Sequence, residues 1–274
     1  GCPVGAIVPN TLSEKKVPLK GENINTNCFH CSIGCDTTVE LFGDTIYEIK
    51  ERENLLCKKG RFNKPDIITG SDNSDKYKKL VEFQNATVYP SPSLSAEDYE
   101  LLKIAGIKMN WEIANYYSQS SLWIAFAGIK TLPKMDFFTK NISEKSLVIV
   151  CGDLEETNPI SINRLIANKK SDTGIILVNN EVTKRLKKIS AILSKNISEL
   201  KKEKIEGYNE IVLLLNPISF DKKYGKNSSL EIYNYLSSLN IDLRTTLFSE
   251  SKNLYSFYDA NKILSAPRKR SIYI

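Results

Sequence analysis

The sequence has few of the groups on which hydrolases and membrane proteins depend. Its 274 residues include one histidine, His30, outside any recognisable serine or aspartate pairing, so a hydrolytic triad is not expected. No apolar run approaches the roughly 18 residues that span a bilayer, and no basic segment followed by an apolar one opens the sequence. We therefore expect a cytoplasmic protein without direct membrane insertion, whose attachment to the inner face of a membrane would depend on partner subunits.

Phosphate-binding glycine loops and compact basic patches are also scarce. No G-x-G-x-x-G motif follows a predicted strand, which argues against NAD binding. The formal net charge of +6 is spread over many lysines. This pattern favours solvated helix faces and predicts no nucleic-acid partner.

The cysteines are distributed very unevenly. Five of the six lie in the first 57 residues, and Cys151 lies far downstream. A disulfide framework would suit a small secreted scaffold, whereas this chain is large enough to fold without one. Cys28, Cys31 and Cys35 follow the spacing C-x2-C-x3-C, and Cys57 comes after 21 further residues. The pattern predicts metal ligation.

Four thiolates suit either an iron-sulfur cluster or zinc. A zinc ribbon pairs two short knuckles, but here three cysteines lie within eight residues and the fourth stands alone. The spacing favours a [4Fe-4S] cluster, with three ligands on one loop and the fourth at a distant strand end. Gly34 and Gly60, next to ligating cysteines, are expected to let backbone amides approach the sulfides. Zinc, or a structural or redox role for the thiols, remains an alternative.

Other chemically active residues have simpler interpretations. Cys151 ends an apolar run and is predicted to be a buried small side chain. His30 is expected to lie beside the ligands or to be exposed, because four cysteines already suffice. The acids at 153, 155 and 156 precede a predicted helix, where they would stabilise its N-terminus through the helix dipole.

Apolar runs typical of strands alternate with amphipathic stretches. Residues 8–27 are predicted to be an irregular connection, followed by two short strands around a turn at 43–44. Further predicted strands span 86–89, 122–127, 147–151, 174–178, 210–215 and 244–248, and predicted helices span 95–109, 158–170, 181–204 and 228–239. Because parallel strands need crossover connections, the alternation predicts an α/β fold with a parallel sheet. A polar linker at 71–75 places a domain boundary near residue 77.

Two motifs carry a resemblance to a known family. The cysteine loop, with Cys-Ser-Ile-Gly-Cys at 31–35, and Leu-Cys-Lys-Lys-Gly-Arg-Phe at 56–62 resemble the [4Fe-4S] domain that opens the molybdopterin oxidoreductase superfamily. The chain is similar to the large iron-sulfur subunit of respiratory complex I, the NADH:quinone oxidoreductase, and to its kin in soluble hydrogenases and formate dehydrogenases. In that subunit a ferredoxin-like part ends in Cys-Pro-Val-Gly-Ala, as residues 2–6 do here.

The resemblance implies an electron-transfer segment of a multi-subunit NADH dehydrogenase or related hydrogenase, and a chain that is part of a longer subunit. Its partners would be flavin- and NADH-binding and other iron-sulfur subunits. Residues 1–20 would be a ferredoxin-like tail and linker, with Cys2 as the last ligand of an upstream cluster. Residues 21–77 would be a small β-rich [4Fe-4S] domain, and residues 78–274 a Rossmann-like parallel α/β domain that offers contact patches to partners instead of a deep polar pocket. No molybdopterin is expected, because the chain is shorter than the molybdenum enzymes and lacks phosphate-binding glycines.

Lys59 keeps a second interpretation open. Molybdenum relatives place a lysine in C-x-K-G between cluster and pterin, and residues 57–60 match that form. On this interpretation the chain would be part of a molybdenum or tungsten formate dehydrogenase. The simpler interpretation is that Lys59 only supplies positive charge beside an anionic cluster.

Overall fold

A computed structural model describes residues 21–43, 45–52, 56–63, 82–91, 94, 96–114, 142–178, 186, 189, 192–194, 200, 205–249 and 271–273. The strands in these ranges are β1 (Glu22–Asn27), β2 (Asp36–Phe42), β3 (Thr45–Glu51), β4 (Thr87–Tyr89), β5 (Glu112–Ile113), β6 (Ser146–Cys151), β7 (Gly174–Val178), β8 (Ile192–Ser194), β9 (Glu210–Leu215), β10 (Asp242–Leu247) and β11 (Ser271–Tyr273). The helices are α1 (Lys58–Phe62), α2 (Ala96–Met109), α3 (Leu154–Thr157), α4 (Pro159–Asn168), α5 (Pro217–Tyr224) and α6 (Ser228–Ser238).

A three-stranded antiparallel sheet, in the order β1-β2-β3, carries the cysteine loop. The predicted hairpin is confirmed, and Gly43 takes the positive φ of 54° that its tight turn requires. The prediction of an irregular connection over 8–27 is wrong for β1, which pairs along its whole length with β2. All six β1 residues are exposed, so main-chain hydrogen bonds hold this strand and no apolar pattern marks it.

A five-stranded parallel sheet, in the order β10-β9-β6-β7-β8, forms the main core. Its central strands β6 and β9 are Val-, Ile- and Leu-rich and are buried along almost their whole length, as expected of strands covered on both faces. Alternate residues of these strands enter two apolar clusters. One cluster includes Phe220 of α5 with Ile232 and Leu236 of α6, and the other includes Ile162 and Leu165 of α4. The predicted α/β class is therefore confirmed.

The strand order of this sheet reverses between β6 and β9. The chain passes from β6 through β7 to β8 on one side, then returns to pair β9 and β10 on the other side of β6. In open α/β sheets a crevice forms at such a reversal, outside the carboxyl ends of the strands. Segments that follow β6, β9 and β10 therefore meet at one edge.

Most predicted helices and strands agree with the structure within a few residues. The predicted helix 181–204 is wrong at 192–194, where the structure has strand β8, which pairs in parallel with β7. A lysine-rich pattern is compatible with a helix, but ladder hydrogen bonds to a neighbouring strand decide the outcome here. Helices α1, α3 and α5 were not predicted. The predicted strand 122–127, the linker 71–75 and the boundary near 77 lie outside the described residues.

A third sheet is parallel and has the order β11-β4-β5. Next to it, Ala86 and Val88 form a small apolar cluster with Leu102 of α2. Among the described helices, none is long and apolar enough to cross a bilayer.

Candidate metal centre

The four cysteines of the motif line one pocket. Cys28, Cys31 and Cys35 come from the loop between β1 and β2, and Cys57 immediately precedes α1. The pocket is completed by Thr157, the last residue of α3, and by Pro159 and Ile160 at the start of α4. All four thiols are free of disulfide bonds. The structure thus brings together the four residues that the spacing singled out.

The cysteine loop closes on itself through the main chain. The Cys28 amide donates to the Cys35 carbonyl at 2.8 Å, and the Gly34 amide donates to the Cys31 carbonyl at 3.3 Å. Gly34 has a φ of +58°, a left-handed conformation that side chains other than glycine's rarely adopt. The Gly34 amide itself closes this turn, and Gly34 shapes the loop.

The sequence predicted Cys57 at a strand end, but it lies at the N-cap of α1. Its Sγ accepts a hydrogen bond from the Gly60 amide at 3.4 Å. A Cβ at position 60 would lie only 3.2 Å from the Cys28 Sγ and 3.9 Å from the Cys57 Sγ. The first turn of α1 therefore passes beside two of the four sulfurs, and a side chain at position 60 would crowd the Cys28 sulfur.

Burial dominates the titration of two of the thiols. The pKa of Cys31 is raised above its usual value and that of Cys35 to about 11, with burial as the largest cause in both. Neighbouring thiols contribute to both increases, whereas the positive charge of Arg164 acts in the opposite direction on the pKa of Cys35. Ligation requires thiolates, so a bound cationic centre would have to displace these protons.

The cysteine loop is fastened to the carboxyl edge of the five-stranded sheet. The Ser32 amide donates to the Ser249 carbonyl at 3.1 Å, and the Ser249 amide donates to the Ser32 Oγ at 2.9 Å. Ser249 follows β10, and Asn158, at the start of α4, also donates to its carbonyl at 3.0 Å. Ile33 packs against one of the two apolar clusters of the sheet. The pocket is therefore built jointly by the small sheet and the large one.

A second, open pocket of about 690 Å³ lies at the reversal of strand order. It is lined by residues that follow β6, β9 and β10, together with Lys59: Asp153, Glu156, Thr157, Asn216, Ile218, Ser219, Lys222, Lys223 and Ser249. Lys59 lines both pockets, and its Nζ donates to the Glu156 carbonyl at 3.3 Å. We expected this region to offer contact patches and no deep polar pocket. The described residues instead form an open pocket with a largely polar set of lining residues.

The remaining predicted residues have modest roles. His30 lies beside the cysteines, with its Nε2 3.0 Å from the Asn63 carbonyl and its ring 4.2 Å from that of Phe29. Cys151 ends β6 and is fully buried, as predicted. The acids were expected to precede the helix that begins near 158, but Glu155 and Glu156 lie in the first turn of the separate short helix α3, whose N-cap residue makes no capping hydrogen bond through its side chain. Cys2 lies outside the described residues.

The donor set suits a group with several attachment points. Within the described part of the chain, no three or more Cys, His, Asp or Glu side chains are arranged to hold one metal ion. A tetrahedral zinc ion draws four sulfurs to about 2.3 Å from a single point. A cubane instead offers one iron to each thiolate and spreads the sulfurs around a larger body. Four soft thiols that line one pocket are a donor set that suits such a group.

No family model matches the chain, and no curated protein matches it. The functional argument therefore depends on the residues and their geometry.

Proposed function

We propose that the chain binds one [4Fe-4S] cluster through Cys28, Cys31, Cys35 and Cys57 and carries electrons within a larger oxidoreductase. The observation that carries the proposal is the convergence of four cysteines without disulfide bonds, from two separate parts of the chain, on one pocket. Thiolates are the ligands of such clusters, and the spacing within the loop is compact enough to serve three corners of a cubane.

The cluster would supply one-electron redox chemistry, and the protein would tune it. The Gly60 amide donates to a ligand sulfur, which stabilises negative charge there. Cys31 and Cys35 are buried, and burial disfavours added charge. Lys59 brings a positive charge to the mouth of the pocket. These opposing effects set the reduction potential through the chain's own residues.

The larger assignment follows the sequence resemblance. We propose a segment of an NADH dehydrogenase of the complex I type, or of a related hydrogenase, in which Cys2 ligates an upstream cluster. The parallel α/β region would be Rossmann-like and would hold the cluster region against flavin-binding and iron-sulfur subunits. Such an assembly would lie in the cytoplasm or on the inner face of a membrane.

One observation favours a second candidate, a segment of a molybdenum or tungsten formate dehydrogenase. The open pocket adjoins the cysteine pocket, and Lys59 lines both. A substrate-processing cofactor in the open pocket would lie next to the cluster. Metal analysis of native material distinguishes the two, since only this candidate requires molybdenum or tungsten at about one per chain.

The ligand assignment is tested by replacing Cys57 and, as a matched control, Cys151. After anaerobic reconstitution, Cys57→Ser should lose most of the broad visible absorption of the cluster, because one iron is left with a poor donor. Cys151→Ser should retain it, because Cys151 is buried in the apolar core that lines the sheet. Equal loss in both variants would show that the fourth ligand is assigned wrongly.

A further inference from the structure

The two segments that carry the four cysteines contain basic residues and no acidic one. The cysteine loop at 28–35 has a single histidine and no Asp or Glu, and segment 56–63 has two lysines and one arginine, again without Asp or Glu. The surface that these segments build beside the cysteine pocket is therefore positive, except where a neighbouring element supplies a carboxylate.

Two of these basic side chains keep a charge that no described carboxylate neutralises. Arg61 forms an ion pair with Glu51 of β3. Lys59 donates to a main-chain carbonyl, that of Glu156, and faces the open pocket. Lys58 is exposed, and within the described ranges of the chain no carboxylate pairs with it or with Lys59. Lys58 therefore offers its positive charge to solvent, next to a cysteine of the pocket.

Two exposed phenylalanines lie on the same segments. Phe29, in the cysteine loop, is 45% exposed, and Phe62, at the end of α1, is 51% exposed. His30 connects the two segments: its ring lies 4.2 Å from that of Phe29, and its Nε2 lies 3.0 Å from the carbonyl of Asn63, the residue after Phe62. His30 also lines the cysteine pocket. The aromatic and basic groups therefore belong to one surface beside that pocket.

This combination is typical of a surface that binds another protein. Single exposed apolar residues are ordinary, but aromatic side chains are enriched at the centre of protein interfaces, and charges at the rim steer the partner into place. An electron-transfer partner must also dock close to the metal ligands, because electron transfer slows steeply with distance. Phe29 lies between two of the four cysteines in the sequence.

We propose that Phe29, His30, Lys58 and Phe62 form a docking face for an acidic electron-transfer protein. The inference rests on the proposed function, and charge complementarity selects the partner: its carboxylates would approach Lys58, and apolar groups around its redox centre would pack on the two phenylalanines. One electron passes from the reduced partner, which is oxidised, to the cluster, which is reduced. No bond forms or breaks in this step.

The test uses an acidic plant-type [2Fe-2S] ferredoxin as the probe. It is titrated into the cluster-loaded protein at low salt, and calorimetry gives the dissociation constant. Lys58→Glu reverses the charge of the face, and Phe62→Ala removes an aromatic group without changing charge. Each should weaken binding about tenfold. Added salt should weaken binding to the unmodified protein and affect Lys58→Glu less.

Two matched controls lie outside the cysteine segments. Phe83→Ala removes a phenylalanine that is 51% exposed, like Phe62, and Lys108→Glu reverses an exposed lysine in the last turn of α2. Both should bind the ferredoxin as the unmodified protein does. The visible absorption of each variant shows that cluster content is equal. Should Phe62→Ala fail to hold the cluster, Lys58→Glu decides the test.

Electron transfer gives a second readout. Reduced ferredoxin is mixed with the oxidised protein in a stopped-flow instrument, and the second-order rate constant should fall in Lys58→Glu and Phe62→Ala but not in the two controls. Reduction by dithionite, which is too small to need the docking face, should be equally fast in Phe62→Ala and in the unmodified protein.

Several results would overturn the inference while the proposed function stands. The first is equal ferredoxin affinity in Lys58→Glu, Phe62→Ala and the unmodified protein at full cluster content. Others are tighter binding of a basic c-type cytochrome, binding of anionic phospholipid vesicles in place of the ferredoxin, and a dimer in sedimentation that Phe62→Ala dissociates. Failure of the unmodified protein to form a cluster would instead overturn the proposed function, and the same titration of the cluster-free protein would then show whether the face binds the ferredoxin.

Discussion

Gly60→Ala separates the stability of the apo protein from its ability to hold a cluster. Gly60 lies in α1 with an ordinary negative φ, since it is not among the glycines with positive φ. Alanine can therefore adopt its conformation. The added methyl group would lie 3.2 Å from the Cys28 Sγ, which is closer than an ordinary van der Waals contact.

The two effects of the substitution have opposite signs. Alanine is favoured over glycine in a helix by about 0.5–1 kcal/mol, and in the apo protein the Cys28 side chain can move aside. In the loaded protein a bond to iron would hold that sulfur in place, and overpacking of this kind costs about 1–3 kcal/mol. The crowding therefore exceeds the helix gain, and each 1.4 kcal/mol of net cost weakens cluster retention about tenfold.

The assay needs one matched control. Gly106→Ala places a methyl group at the same 3.2 Å distance, but from Ile113 Cδ1, the end of a flexible side chain far in sequence from any cysteine. Thermal unfolding of the apo proteins and the rate of iron loss to a chelator are measured for both variants. Gly60→Ala should be no less stable as apo protein yet lose iron faster, whereas Gly106→Ala should lose iron at the unmodified rate.

Retention of the cluster by Gly60→Ala at the unmodified rate would refute the reasoning. It would mean that the Cys28 sulfur is not held beside α1 when the site is loaded.

Two further predictions concern the apo protein. Its free energy of unfolding should fall as the pH rises from 9 toward 11, because the pKa of Cys35 is raised to about 11 and the unfolded chain releases this proton first. Chemical denaturation should show a smaller fall in Cys35→Ser, and an identical fall would contradict the assignment. Arg244→Met should lower the free energy of unfolding by about 3 kcal/mol, because Glu210 Oε1, 2.9 Å from the Arg244 Nε, would lose its buried partner. A loss below 1 kcal/mol in denaturant titrations would count against that ion pair.

The parts of the structure that the sequence predicts have strong local signals. The buried runs of β6, β7 and β9 are continuous and apolar, and the predicted bounds of β7 and β9 agree residue for residue. The cysteine spacing likewise identified four side chains that meet in one pocket. Local composition was sufficient because these segments depend on burial or on a compact motif.

The parts that the sequence does not predict depend on long-range contacts. Strand β1 is polar and exposed, and it is a strand because its main chain pairs with β2. The hydrogen bond between Ser249 and Ser32 joins residues 217 positions apart, so neither residue carries a local signal of it. The hydrogen bond from the Asn158 side chain to the Ser249 carbonyl joins residues 91 positions apart, and it has no local signal for the same reason.

The most direct test of the central claim is elemental analysis of anaerobically prepared protein. A four-cysteine cubane site predicts about four iron and four acid-labile sulfide per chain, with a broad visible absorption that dithionite bleaches. Stoichiometric zinc without sulfide would contradict the claim, because it would mean that the four thiols hold a single structural ion.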